Sequence, residues 1–244
     1  MIKIINERGS KGFTFSRIGE NHINANIENQ DSIGFENIGE AWYLAVADGV
    51  SSATMSKIGA NYAIKVIENL CKALSTDNEM SNDLDSIRNY IVRKWKDEIS
   101  SNWDEYATTL NFVIYSNHQL LIGQIGDGLI VADIDGIKKT YSNQEEFYFT
   151  ETDALGKAVK RKAIRLEKLK TDKRILVYIA SDGIGKEIIQ DSRIGLCNYF
   201  EKMLEEDINK IQNEFEEWMI SLNRKNGDDK TIGFVKWEDD LCKI

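Results

Sequence analysis

Tyr43-Leu44-Ala45-Val46-Ala47 runs straight into Asp48-Gly49, and the same arrangement returns twice: Leu120 to Gly126 leads into Asp127-Gly128, and Ile175 to Ser181 into Asp182-Gly183. Each is an apolar run of strand length closed by an acidic residue and a glycine. The glycine lets the chain turn sharply and leaves its peptide groups open to a ligand. Asp31 and the pair Asp228-Asp229 each stand just before a further strand. If these ends face one edge of the fold, four or five carboxylates converge on one cleft. Such a concentration of negative charge is tolerable only with cations to neutralise it.

Working outward, β-rich runs are expected at Trp42 to Ala47, Thr108 to Tyr115, Leu120 to Ile125, Leu129 to Ile134, Arg174 to Ala180 and Thr231 to Trp237. Turns at Ser116-Asn117-His118 and Asp135-Gly136 join some of them as hairpins. Apolar residues recurring every three to four positions predict three helices, from about Ser52 to Leu74, from Leu84 to Ile99, and one long helix from Leu196 to Leu222. Each has one apolar stripe and a charged back, so each should lie on another layer. Strands in the middle with helices before and after fit sheets covered by helices better than an alternating βαβ chain. Proline is absent and no repeat or low-complexity tract marks a linker, so the 244 residues read as one domain, 1–244.

Composition narrows the function classes. Hydrophobic residues at 42% and charged residues at 29% are ordinary for a globular chain and argue against disorder. A net charge of −9 disfavours a nucleic-acid partner, whose usual footprint is basic. No stretch approaches the about 20 apolar residues of a membrane span, and the amino terminus lacks the apolar core of a signal peptide. A cytoplasmic protein with no membrane partner is expected. Cys71, Cys197 and Cys242 are odd in number and far apart, so they read as free thiols rather than a disulfide framework or a zinc knuckle. An all-oxygen donor set selects Mg²⁺, Mn²⁺ or Ca²⁺. Two such ions can share a carboxylate and activate a water for in-line attack on phosphorus.

The order of motifs resembles the metal-dependent protein phosphatases, the type 2C or PPM family, in its shorter bacterial branch. The residues that carry the resemblance are Gly19-Glu20-Asn21-His22-Ile23 followed by Asn29-Gln30-Asp31, Ala47-Asp48-Gly49-Val50-Ser51-Ser52, Ala107-Thr108-Thr109-Leu110, Gly126-Asp127-Gly128, Ser181-Asp182-Gly183-Ile184 and Asp228-Asp229-Lys230-Thr231. They span about residues 9 to 237 in the family's order. The resemblance implies an α+β fold, a four-layer α-β-β-α sandwich of two mainly antiparallel sheets flanked by helices. It implies hydrolysis of phosphoserine and phosphothreonine on a protein substrate, opposing a Ser/Thr kinase, with two Mn²⁺ or Mg²⁺ ions.

It also implies roles. Asp48 would bridge the two ions with the Gly49 carbonyl on one of them. Asp182 and Asp228 would complete the other, Asp31 would hold a metal-bound water, and Asp127 would serve a weaker third ion. His22 stands where many members carry a phosphate-binding Arg, and is expected to touch substrate. Lys160, Arg161 and Lys162, within a basic run from Lys157 to Lys168, are expected to form a positive flap that binds substrate. Position 229 is usually Asn or Asp in the family, so an amide there is expected to be milder than one at Asp48 or Asp228. Two departures stand out: Val50 replaces the His that animal enzymes carry after Asp-Gly, and Lys186 replaces an acidic residue four after Asp182.

Other readings compete. Asp133-Ile134-Asp135-Gly136 has the DxDG form of the haloacid-dehalogenase nucleophile, although it falls in an expected hairpin. A phosphatase-like module that only binds or scaffolds a partner, or an enzyme acting on a small-molecule phosphate, would keep the same fold. His118 reads as a solvated turn residue.

Overall fold

The computed structural model describes residues 2–7, 9–76, 83–142, 153–156, 159, 163–171, 173–223 and 226–239. One sheet contains β1 (Ile2–Glu7), β2 (Ser10–Arg17), β7 (Leu129–Ile134), β8 (Ile137–Tyr141), β10 (Arg174–Ala180) and β11 (Lys230–Glu238), in the order β1-β2-β11-β10-β7-β8. The other contains β3 (Ser32–Ile38), β4 (Ala41–Ala47), β5 (Leu110–Ser116), β6 (Gln119–Ile125) and β9 (Arg165–Lys170), in the order β3-β4-β5-β6-β9. Every strand pairing is antiparallel.

The sequence of β4 shows why the layers stack as they do. Side chains alternate across a strand, so Trp42, Leu44 and Val46 point one way and Tyr43, Ala45 and Ala47 the other. The first set packs between the sheets with Val113, Ile122, Ile130, Val177, Ile179 and Trp237. The second set meets helices α2 (Ser56–Thr76) and α3 (Leu84–Asp97) through Ala63, Ile67, Ile91 and Trp95. Both faces of β4 are buried, which is why it reads as an unbroken apolar run. On the far side, Phe13, Phe15, Tyr178 and Phe234 pack against Phe200 and Phe215 of helices α5 (Arg193–Met203) and α6 (Ile208–Asn223). Tyr115 of one sheet and Trp237 of the other meet at a tilt of 38° with ring centroids 4.2 Å apart, tying the two sheets together. The result is the expected α-β-β-α sandwich.

Some elements depart from the sequence reading. The long helix expected from Leu196 to Leu222 is two helices, because Asp207 accepts a hydrogen bond from the Asn209 amide at 2.8 Å and starts a new helix there. The apolar spacing runs through the break, so periodicity alone does not reveal it. The first helix begins at Ser56 rather than Ser52, after a turn that carries the chain away from Asp48. Strands β1 and β2 were not anticipated; β2 pairs with β11, more than 200 residues away in sequence. Two short helices, α1 (Glu20–Ala25) and α4 (Asp182–Gly185), complete the set, and both begin at site motifs.

Candidate active site

Strand ends bring the acidic residues to one edge. Asp48 follows β4, and its peptide is clamped by the Ala-Thr-Thr motif. The Asp48 amide donates to Thr109 Oγ1 at 3.1 Å, while the Thr109 amide and the Thr108 hydroxyl donate to the Asp48 carbonyl at 2.8 and 2.9 Å. The two threonines were legible as a motif; their task as a clamp was not. Asp182 opens α4 directly after β10. A side-chain carbon at Gly183 would lie 2.0 Å from the Asp229 carbonyl oxygen, so only glycine lets the loop before β11 settle on α4. That close approach is what brings Asp182 and Asp228 together.

Asp31 is 1% exposed and accepts a hydrogen bond from Ser181 Oγ at 2.8 Å. Lys57, on α2, donates to the Asp31 carbonyl at 2.5 Å. Neither partner was readable from the sequence, since each lies on an element distant along the chain.

The carboxylates act on one another. Burial pushes Asp31 up to about 7, opposed by hydrogen bonds from Thr231 and Ser181 and reinforced by the charges of Asp229 and Asp182. Burial, the charges of Asp31 and Asp182, a hydrogen bond with Asp182 and the charge of Asp228 hold Asp48 well above the usual carboxylate range. Asp228 is also raised, by burial and then by the charge of Asp182. Asp31 Oδ1 and Asp182 Oδ1 are buried and have no hydrogen-bond partner. A cluster of acidic oxygens that retains protons and leaves two buried oxygens unpartnered has the chemistry of a hard divalent-cation site. In this arrangement no three of the described His, Cys, Asp and Glu side chains close on one point at metal-ligand spacing. A lysine ammonium lies against two of them.

A stability test follows from Asp31. Folded Asp31 binds its proton more tightly than an ordinary aspartate, whose pKa is 3.8. Its contribution to stability is therefore fully present below about pH 4 and is lost as pH rises through about 7. In chelated protein, the melting temperature of wild type should fall relative to Asp31→Asn between those values, and saturating Mn²⁺ should reverse the fall. Parallel melting curves across that range would contradict it.

The ammonium belongs to Lys186. Its Nζ lies 2.5 Å from Asp182 Oδ2 and 3.1 Å from Asp127 Oδ2. Burial pulls its pKa down, but the hydrogen bonds and charges of Asp182 and Asp127 outweigh that and hold it charged. Asp127, expected to serve a third ion, is thus engaged by a cation of the chain itself. Lys186→Met should lower the Mn²⁺ concentration for half-maximal binding, because the competing cation is gone. The gain should stay below about 10-fold, since an ion pair this exposed contributes at most about 1 kcal/mol. Calorimetric titration of both proteins measures it.

Asp229 is the most connected residue here and was underrated by sequence. It is 2% exposed and accepts from the Gly19 amide at 2.8 Å, the Gln30 amide at 2.6 Å and, at Oδ2, His22 Nδ1 at 2.8 Å. Lys230, fully buried, donates to the carbonyls of Asn226 and Asp228 at 2.7 Å each. These bonds fix the loop that presents Asp228. The hydrogen bonds to Asp229 give an amide there a larger expected cost than the family's use of Asn implies.

Lys157, Lys160, Arg161 and Lys162 lie outside the described residues. Arg165 and Lys168, from the same basic run, sit on β9. His118 is exposed in the turn between β5 and β6, with φ of 57°. Asp133 and Asp135 belong to the β7–β8 hairpin. Asp133 accepts from the Gly136 amide at 3.0 Å, and Asp135 from Thr171 and the Arg174 amide at 3.0 and 2.8 Å. An antiparallel hairpin whose carboxylates are taken up by its own turn and by the connection from β9 to β10 is not the parallel-strand nucleophile of the dehalogenase reading.

Fold and site define a helix-flanked, antiparallel double-sheet protein with an oxygen-rich centre suited to divalent cations. A family model described as Protein phosphatase 2C matches residues 18–223, and the chain belongs to that family. None of the curated proteins matches the sequence. Among solved structures, RsbX in complex with magnesium aligns with a TM-score of 0.64 and 15% identity, covering 98% of this chain and 100% of that one. The Mycobacterium tuberculosis serine/threonine phosphatase PstP/Ppp aligns with a TM-score of 0.60 and 17% identity, covering 94% and 99%. The catalytic domain of PstP in complex with two manganese ions gives 0.57 and 17%, covering 96% and 98%. At such identities the likeness is one of fold. Among the described residues no helix is long and apolar enough to cross a membrane.

Proposed function

We propose that residues 1–244 form one catalytic domain that removes phosphate from phosphoserine and phosphothreonine on proteins, in the cytoplasm and in opposition to a Ser/Thr kinase. The observation that carries the reading is the gathering of Asp31, Asp48, Asp182 and Asp228 at the strand ends, where Asp31 Oδ1 and Asp182 Oδ1 are buried and unpartnered. Asp48, the Gly49 carbonyl, Asp182 and Asp228 would hold two Mn²⁺ or Mg²⁺ ions. When bound, the ions supply an activated water and offset charge on the phosphoryl oxygens.

The chain's own groups do the rest. Thr108 and Thr109 fix the Asp48 peptide, and Asp31, buried beside Ser181, is placed to orient a water and take its proton. Lys186 holds Asp127 and Asp182 at a set separation. His22 touches the substrate phosphate. Lys160, Arg161 and Lys162 steer acidic phosphopeptides: their triple replacement by Ala should raise KM for such a peptide while leaving p-nitrophenyl phosphate turnover nearly unchanged. Equal effects on the two substrates would remove them from the site.

The deciding experiment is hydrolysis of p-nitrophenyl phosphate and of a phosphothreonine peptide, with chelator, with Mn²⁺ and with Mg²⁺. Turnover of both only with metal is expected. Turnover in chelator would sink the reading. Metal binding without turnover would favour a binding module, and turnover of small phosphates alone would shift the substrate class.

A further inference from the structure

Hydrolysis of a seryl or threonyl phosphate has a difficulty that metal ligands do not solve. The leaving oxygen is an alkoxide of high basicity, and it departs readily only if a proton reaches it as the P–O bond breaks. The acidic cluster is arranged to hold cations, and the Lys186 ammonium is taken up by the carboxylates of Asp182 and Asp127. The sequence has two histidines, and His118 is exposed in a hairpin turn.

His22 is held differently. Its side chain is 12% exposed, and its Nδ1 lies 2.8 Å from the carboxylate of Asp229, whose side chain is 2% exposed. The same carboxylate is fixed from two other directions, by the amides of Gly19 and Gln30. The ring is thereby anchored through Nδ1, and Nε2 is the nitrogen left to carry out chemistry. Asp229 adjoins Asp228 in sequence, and Gln30 adjoins Asp31, so the anchored ring stands beside two carboxylates of the cluster. An imidazole oriented by a buried, fully hydrogen-bonded carboxylate is the arrangement expected of a proton-transfer group.

We infer that His22, oriented by Asp229, donates the proton that releases the seryl or threonyl oxygen of the substrate. This rests on the phosphatase reading above and assigns a further task at the same site. Water adds to phosphorus as the bond to the substrate oxygen breaks, and that bond's electron pair stays on the oxygen. The oxygen takes the Nε2 proton. The proton shed by the water passes to Asp31 and from there to solvent, and solvent reprotonates Nε2, so one water is consumed for each alcohol and phosphate released. Asp229 is the positioning residue, since it touches the ring and not the substrate.

The test uses leaving groups. A p-nitrophenolate leaves without help, whereas the serine oxygen of a phosphopeptide does not. At saturating Mn²⁺, His22→Ala and His22→Gln should each lower kcat for a phosphoserine peptide by about 100-fold or more. Both should lower kcat for p-nitrophenyl phosphate by less than about 10-fold. His22→Gln retains a hydrogen-bond donor toward Asp229 and guards against a merely structural loss. In metal-free protein, proton NMR should show a downfield Nδ1–H resonance that disappears in Asp229→Asn. An equal fall on both substrates, or absence of that resonance in wild type, would overturn the assignment while leaving the phosphatase reading intact. Wild type that turns over neither substrate with metal would overturn the reading itself.

Discussion

Asp48→Asn is expected to lower metal-dependent turnover by about 1,000-fold or more, a loss of several kcal/mol of transition-state stabilisation, and Asp228→Asn to do the same. A carboxylate between two cations cannot be replaced by a neutral amide without losing ion affinity and water activation together. The stability of the metal-free protein should move the other way. Folded Asp48 is held well above the usual carboxylate range, so above that range its burial among like charges opposes folding. An amide at 48 stays neutral, and chelated Asp48→Asn should melt at a higher temperature than chelated wild type at pH 8. The pair of results distinguishes a functional carboxylate from a structural one. A variant that is both inactive and less stable without metal would mean that Asp48 supports the fold.

Asp229→Asn is expected to be nearly as damaging, through geometry. Asp229 offers one oxygen to the Gly19 amide and the other to the Gln30 amide and His22. An asparagine presents one oxygen and one NH₂ group. Whichever way the amide is turned, its NH₂ faces a backbone N–H, and a buried donor loses its acceptor. Each such loss costs about 1–3 kcal/mol. The expected outcome is a clear drop in melting temperature, with activity reduced beyond what the drop explains because His22 and the loop carrying Asp228 lose their anchor. Thermal melts with kinetics on the folded protein at low temperature measure both. Wild-type stability would show that the three hydrogen bonds to Asp229 carry little energy.

The chemistry of the site was readable from local patterns because it depends on residue type and on where strands end. Runs such as Tyr43 to Ala47 announce a strand buried on both faces, and the acidic residue and glycine that follow announce a turn with a carboxylate. Three such strand ends, with the resemblance of six motifs in order to the type 2C phosphatases, were enough to expect the layered fold and Asp31, Asp48, Asp182 and Asp228 as candidates. Lys186 was visible as a departure. Its ion pairs were not, because a lysine at that position could equally reach solvent.

What the sequence by itself determined is the composition of each element and the residue type at each strand end. These follow from side-chain alternation, helical periodicity and the conformational freedom of glycine, all of which act over a few residues. Only the tertiary structure decided which ends meet. The pairing of β2 with β11, the contact of Gly183 with the Asp229 carbonyl and the hold of Asp229 on Gly19, His22 and Gln30 join segments that are roughly 50 to more than 200 residues apart. A buried carboxylate must find donors wherever the packed fold brings them, and no local rule says which part of the chain will supply them.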